Sequence, residues 1–281
     1  MVKGVRRYYH RRVVLVGGTG AGMLEDVDPG LAVDGFAALA ADQLHIWEGS
    51  LDRPAPEIRR LRALLASDEL ARAERFRFER DRARYIAGRG QLRLLLGHYL
   101  RRPPREVHFE YGDHEKPFVA DPGLWFNLSH SGPVAIFAVT SIGEVGIDVE
   151  LDDAGFASER IAEYFFSSGE VATLRGLPAE LQARAFLTCW TRKEAFIKAR
   201  GDGLSLALDD FDVTLAPGQP VALTRTAWSG SEPKEWSLSD LSNTEAGYIA
   251  AVAMRRTRPF ELRRGTLRTT DHETLSEQEK L

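Results

Sequence analysis

Residues 125–151 read WFNLSHSGPVAIFAVTSIGEVGIDVEL, and how this stretch folds decides the architecture. Val134 to Val139 is an apolar run, Ser141-Ile142-Gly143 is a turn signal, and Val145, Ile147, Val149 and Leu151 alternate with Gly146, Asp148 and Glu150. The pattern predicts two strands joined at the turn, a hairpin or close to it. Side chains on a strand alternate between faces, so Ile147 and Val149 point one way while Asp148 and Glu150 point together the other. Two carboxylates on one face repel, and either exposure to water or a cation between them relieves the repulsion. Exposure is the ordinary outcome for a lone Asp-x-Glu. A firmly apolar opposite face, and a glycine that leaves room beside Asp148, favour a site.

Downstream, the apolar positions from about residue 180 to 200 predict a long helix ended by Gly201-Asp202-Gly203. Within it lies WTRKEAFIK, residues 190–198, with Glu194 and Lys198 four residues apart. As a surface pair at that spacing they would support the helix by roughly 0.2–0.5 kcal/mol. Phe186, Cys189, Trp190, Phe196 and Ile197 form an apolar stripe, and Glu194 and Lys198 lie along its edge, at the seam with the next layer. Glu194 is therefore a candidate third carboxylate for a hard-metal site, since magnesium takes protein carboxylates together with waters and phosphate oxygens. Lys193 falls in the middle of the stripe, where snorkelling is the available explanation.

Upstream, strand character begins near residue 43, a helix follows over 55–65, and Ser67-Asp68-Glu69 reads as a helix start with Ser67 as cap. The next segment carries Arg72, Arg75, Arg77, Arg80, Arg82, Arg84, Arg89 and Arg93 against Glu69, Glu74, Glu79 and Asp81. The excess of arginine suits an anionic ligand on one side, beside the plainer reading of a solvated face. Pro103-Pro104 stops the helix. Extended segments are expected at 107–111, 116–119, 211–215, 236–238 and 248–254, with further helices at 158–165 and 168–174. Helices and strands thus recur in a similar order in two halves, 43–142 and 143–262, without a sequence repeat. Residues 1–42 read as a flexible leader and 263–281 as a disordered tail poor in apolar residues.

Composition narrows the function. The 281 residues are 43% hydrophobic and 28% charged with a net charge of −4, ordinary for a soluble globular protein and without the basic field of a nucleic-acid binder. Cys189 is the single cysteine, so no internal disulfide forms and a cytoplasmic setting is expected. No apolar run approaches the roughly 20 residues of a membrane span. The basic start followed by VVLVGG is too short for a signal peptide. Gly17-Gly18-Thr19-Gly20-Ala21-Gly22 lacks the Lys-Ser/Thr of a phosphate loop. Ser129-His130-Ser131 lacks the Gly-x-Ser-x-Gly elbow of a serine hydrolase. Alone, His130 and Lys116 are unremarkable surface or structural residues.

Together and in order, the motifs Phe126-Asn127-Leu128-Ser129-His130-Ser131, Gly146-Ile147-Asp148-Val149-Glu150 and Trp190 to Lys198 with Gly201-Asp202-Gly203-Leu204 resemble the Sfp-type 4'-phosphopantetheinyl transferases. The arginine-rich segment from Ser67 to Arg93 and Lys116-Pro117 add support, and the resemblance covers roughly residues 43–262. It implies an α+β pseudo-dimer of two similar halves, each a small antiparallel sheet packed with helices, with the active site in the cleft between them. It implies transfer of the phosphopantetheine arm of coenzyme A to a serine of an apo acyl or peptidyl carrier protein, releasing adenosine 3',5'-bisphosphate. By the same resemblance Asp148, Glu150 and Glu194 hold magnesium, and Asp148 and Lys198 meet the coenzyme. Lys116, Ser129, His130 and Arg72 serve its 3'-phosphate end, and Glu194 is the base for the carrier serine, with Lys198 assisting. Glu115 stands where the family commonly has glycine, which loosens the placement of Lys116. An internal pseudo-dimer has less need of a partner subunit, so a monomer is expected. Two other readings share these residues: a metal-dependent phosphate-ester hydrolase, and a silent homologue that binds carrier proteins without turnover.

Overall fold

The computed structural model describes residues 31–33, 38–112, 115–153, 155, 159–201, 203–256 and 259–269. After a short strand β1 (Leu31–Val33), the same succession of elements occurs twice. Strand β2 (Gln43–Ser50) leads into helices α1 (Ala55–Arg62), α2 (Ser67–Ala73) and the 22-residue α3 (Glu79–Leu100). A ribbon β3–β4 (Glu110–Tyr111, Pro117–Phe118) and a hairpin β5–β6 (Trp125–Ser131, Val134–Thr140) follow. Then β7 (Val145–Leu151) leads into α4 (Glu159–Phe165), α5 (Ser168–Gly176) and α6 (Ala179–Arg200), also 22 residues long. This half closes with a ribbon β8–β9 (Phe211–Val213, Leu223–Thr226) and a hairpin β10–β11 (Trp236–Asp240, Tyr248–Arg255). Strand β12 (Glu261–Thr269) ends the described chain.

The sheets repeat the pattern. Order β2-β6-β5 in the first half matches β7-β11-β10 in the second, all antiparallel. The two-half α+β architecture expected from the sequence is therefore present. The hairpin expected over 134–151 is not: β6 pairs with β2 and β5, while β7 pairs with β11 in the other sheet. Alternation reports which face of a strand is apolar and is silent about which strand lies beside it. Here Ile136 and Ala138 of β6 meet Val145, Ile147 and Val149 of β7 in an apolar layer between the sheets, and the turn at 141–143 carries the chain from one sheet to the other. A second layer, including Trp47, Leu92, Leu95, Leu96 and Phe137, lies between the first sheet and α3. A third, including Phe186, Phe196, Ile249, Ala251 and Trp236, lies between the second sheet and α6.

The expected boundaries also shift. β12 pairs in parallel with β2 from Glu261↔Gln43 to Thr266↔Glu48, so residues 263–269 belong to the first half's sheet, not to a tail. β1, inside the expected leader, pairs antiparallel with β12. A strand paired through its backbone on both sides, here with β1 and β2, needs few apolar side chains, which is why a segment this polar reads as tail; Leu267, 2% exposed, is its anchor in the core. The rest of the leader's first thirty residues and of the tail after 269 lies outside the described residues.

The arginine-rich helices are only partly a solvated face. Ala66, not Ser67, is the N-cap of α2, and Glu69 closes the turn by accepting a hydrogen bond from the Ala66 amide at 2.9 Å. Glu69 is 1% exposed and also accepts from Arg89 Nε and Arg93 Nε, each at 2.6 Å. Arg93 additionally donates to the carbonyls of Pro104 and Val107, and both guanidinium groups lie over the Phe109 ring. Two arginines expected to await an anionic ligand thus have a buried carboxylate as their anion. Glu69→Gln would strand two buried cations, and a stability loss of about 3–5 kcal/mol is expected. Urea denaturation monitored by circular dichroism measures it.

Candidate active site

The site is built where α6 crosses β7. A Cβ on Gly146 would lie 2.1 Å from the Ala199 nitrogen and 2.2 Å from the Ala195 oxygen, so only glycine lets the helix backbone rest on the strand. The room that the sequence offers beside Asp148 is filled by this helix. Because Gly146, Asp148 and Glu150 share the face turned towards α6, the same crossing brings both carboxylates up to Glu194 and Lys198.

Lys198 Nζ donates to Asp148 Oδ1 and, at 3.2 Å, to Ser129 Oγ. The Ser129 hydroxyl in turn donates to Asp148 Oδ1 at 2.9 Å. Lys198 thus pairs with Asp148 across the crossing, while the charge of Glu194 on its own helix also acts on it. Asp148 Oδ2 and Glu194 Oε1 are buried with no hydrogen-bond partner. Glu150 accepts from Ser131 Oγ at 2.8 Å.

Three alternate residues of β5 make the seam between the two sheets. Asn127 Oδ1 accepts from the Ile147 amide at 2.7 Å, and Ser131 Oγ accepts from the Leu151 amide at 3.2 Å, with Ser129 on Asp148 between them. Side chains here do what backbone carbonyls do inside a sheet. Asn127 and Ser131 were not singled out by the sequence reading; their spacing at every second residue around Ser129 is the signal that was available. Ser131 also orients Glu150.

Burial pushes the Glu150 carboxyl up to about 7, and the charge of Asp148 adds to the effect. Burial likewise pushes Glu194 up to about 7, although Lys198 pulls it down. For Lys198 burial works in the other direction, and the charges of Asp148 and Glu194 outweigh it, so the ammonium is held above its usual value. Stacking like carboxylates around one cation leaves the cluster short of positive charge.

The other expected site residues are placed less uniformly. His130 lies on the strand face opposite Asn127, Ser129 and Ser131, at an exposed position. Its pKa is nevertheless lowered, first by the protein around it and then by the Lys198 charge. The arginine whose charge also reaches His130 is Arg84, held in a two-bond pair with Asp52 at 2.6 and 2.9 Å. Arg72 stands over the Tyr85 ring, 5.9 Å from its centre. Lys116 is buried and its ammonium donates to the carbonyls of Val145, at 2.9 Å, and Lys198, at 2.7 Å. Burial lowers its pKa to about 8. Lys193 does not snorkel: fully buried, it pairs with Glu170 at 2.7 Å and donates to the carbonyls of Leu208 and Phe211.

Two orphaned carboxylate oxygens, with a third carboxylate on the same strand face, are the hard oxygen donors a magnesium ion takes. As they stand, among the described residues, no three acidic, histidine or cysteine side chains are gathered tightly enough to hold a metal. Lys198 sits on one of the three carboxylates. Donor chemistry and unmet oxygens fit the ion.

The structure thus gathers three carboxylates and a lysine at the seam of a duplicated α+β fold. The 4'-phosphopantetheinyl transferase superfamily profile matches residues 144–253, and the profile of the 4'-phosphopantetheinyl transferase N-terminal region matches residues 53–142. The chain is 43% identical over 196 residues to the 4'-phosphopantetheinyl transferase HetI of Nostoc sp., a match covering 68% of this chain and 82% of that protein. It is 34% identical over 175 residues to a 4'-phosphopantetheinyl transferase of Bacillus subtilis, covering 61% and 77%. It is 32% identical over 208 residues to the human L-aminoadipate-semialdehyde dehydrogenase-phosphopantetheinyl transferase, covering 67% and 66%. The chain belongs to the 4'-phosphopantetheinyl transferase superfamily.

Gly146→Ala tests the crossing. The methyl group would force α6 off β7, and we expect a destabilisation of about 1–3 kcal/mol. Catalysis should fall by about 100-fold or more, because a displacement of 1 Å is enough for that. A folded variant at wild-type rate would show that the crossing does not set the site.

Proposed function

We propose that the protein is a magnesium-dependent enzyme that transfers the 4'-phosphopantetheine arm of coenzyme A to a serine of an apo acyl or peptidyl carrier protein, releasing adenosine 3',5'-bisphosphate. The observation that carries this reading is the cluster of Asp148, Glu150, Glu194 and Lys198, with two buried oxygens left unmet, in a member of this family. The internal duplication supports a monomer. The lone cysteine and ordinary charge balance suit a cytoplasmic enzyme, and among the described residues no helix is long and apolar enough to cross a membrane.

Asp148, Glu150 and Glu194 would hold the magnesium ion, which when bound would supply positive charge to the pyrophosphate oxygens. Lys198 supplies a second positive charge to the leaving phosphate, and its bond to Asp148 keeps the ammonium aimed into the cluster. By the resemblance Ser129, His130 and Arg72 serve the 3'-phosphate end, and His130 is exposed. The resemblance also puts Lys116 at that end, a role its two carbonyl bonds oppose. Glu194 takes the proton from the carrier serine, directly or through a water. That oxygen then bonds to the phosphorus bearing the pantetheine arm, while the bond to the 5'-phosphate of adenosine 3',5'-bisphosphate breaks.

With magnesium and coenzyme A, the purified protein is expected to add about 340 Da to an apo carrier protein, read by intact-mass spectrometry. Absence of the adduct across a panel of acyl and peptidyl carriers would overturn the reading. Cleavage of coenzyme A without any carrier would indicate a hydrolase, and carrier binding without adduct a silent homologue. Asp148→Ala and Glu194→Ala should each abolish transfer with the circular dichroism spectrum unchanged.

The raised carboxyl also has a stability consequence. Between pH 4.5 and about 7 the folded protein binds more protons at Glu194 than the unfolded chain does, so stability falls as pH rises through that window. Without divalent cations, Glu194→Gln should therefore melt above the wild type at pH 8 and close to it near pH 4.5. Differential scanning calorimetry at both pH values provides the comparison. A variant that melts lower at pH 8 would show that the carboxylate stabilises the metal-free protein.

A further inference from the structure

We propose that Lys116 is a positioning residue that clamps α6 onto β7 from the opposite half of the molecule, and is not a ligand of the coenzyme's 3'-phosphate. The kinetic side of this inference rests on the reading of the site as a phosphopantetheinyl transferase; the structural side does not.

Lys116 sits in the β3–β4 ribbon of the first half, immediately before β4. Its ammonium reaches into the second half and donates to Val145 O, the first carbonyl of β7, and to Lys198 O, in the last turn of α6. Carbonyls in a helix's last turn have no partner within the helix and carry the negative end of its dipole, so a buried cation there is doubly favoured. The two acceptors flank the contact at Gly146, where α6 and β7 touch backbone to backbone. One side chain therefore ties together the strand that carries Asp148 and Glu150 and the helix that carries Glu194 and Lys198. Both bonds are short, the side chain is 8% exposed, and turning the ammonium to a phosphate would leave two carbonyls without this donor.

The backbone before it points the same way. Glu115 has φ 60°, a left-handed conformation that costs a non-glycine residue about 1–2 kcal/mol. Such a conformation persists where the surroundings over-determine it, and the next residue's buried bonds are the fixed surroundings here.

The test uses the full chain with Lys116→Met, which keeps the length and removes the charge, and Lys116→Gln, which keeps one donor group. Hydrogen exchange followed by mass spectrometry should show faster exchange in peptides covering the C-terminal turn of α6 and the start of β7, greater in the methionine variant. Unchanged exchange there overturns the clamp whether or not the protein transfers anything. Turnover is compared for coenzyme A and 3'-dephospho-coenzyme A. A positioning role lowers kcat by about 10–100-fold, by the same factor on both substrates, with little change in KM. A rise in KM confined to coenzyme A, with dephospho-coenzyme A unaffected, would instead make Lys116 a phosphate ligand. Calorimetric binding of adenosine 3',5'-bisphosphate gives a readout without turnover: unchanged affinity is expected, and a tenfold loss overturns the proposal. A wild type that neither transfers nor binds the nucleotide would refute the functional reading and leave the exchange result to decide the clamp.

Discussion

A helix rests on a strand with no side chain between them, and the rest of the site follows from that contact. Most helix–sheet packing keeps backbones apart by the width of two side chains. At Gly146 the separation collapses until a single Cβ would strike the α6 backbone in three places. Ala195 and Ala199, the small helix residues at the crossing, are both fully buried. At this range the next residues on the same strand face cannot avoid the helix, so Asp148 and Glu150 are delivered to Glu194 and Lys198 by geometry alone. The contact is also why the cluster is dry enough to push two carboxyls towards neutrality.

Duplication supplies the frame and asymmetry supplies the chemistry. Both halves run strand, three helices, ribbon and hairpin, and both use a 22-residue helix over a sheet of the same strand order. The equivalent helices are nevertheless committed differently. In the first half, α3 turns Arg89 and Arg93 inward to a buried Glu69, a closed knot in which both carboxylate oxygens have partners. In the second, α6 buries Lys193 against Glu170 and turns Glu194 to a site with unmet oxygens. One helix spends its buried charge on holding its half together; the other does so one residue before the one it leaves open.

How far the sequence disclosed this depends on the range of the interaction. Period-two alternation places Asp148 and Glu150 on one face, and an apolar stripe ended by Gly201 gives α6 to within a residue of Ala179–Arg200. These are local regularities. Partnership is not local: β6 and β7 are adjacent in sequence and apolar in the right rhythm, yet they meet face to face across two sheets. β12 was illegible because a strand laid between β1 and β2 is specified by the free backbones of its neighbours more than by its own side chains. Lys193 looked anomalous in an apolar stripe because its partner Glu170 belongs to another helix, and Lys116 looked like a surface residue because its acceptors are carbonyls, which leave no trace in the residue alphabet. The motif around Ser129 was recognised as a unit, but its alternate residues Asn127 and Ser131 proved to be stitching between the sheets.

The seam formed by those stitches explains why a site at the junction of two halves can be both exact in its geometry and short of charge compensation. Between β5 and β7 the link runs through side-chain oxygens, each accepting one strand amide or holding one carboxylate. Such bonds fix the lateral register of the strands while leaving a side chain's width between them, enough for Asp148 and Glu150 to stand without a cation at every oxygen. A continuous backbone ladder would close that gap, and a purely apolar seam could not orient carboxylates. The unmet oxygens of Asp148 and Glu194 thus carry a desolvation cost that the apolar layers on both sides of the sheets offset, and a positive charge placed beside them would relieve it.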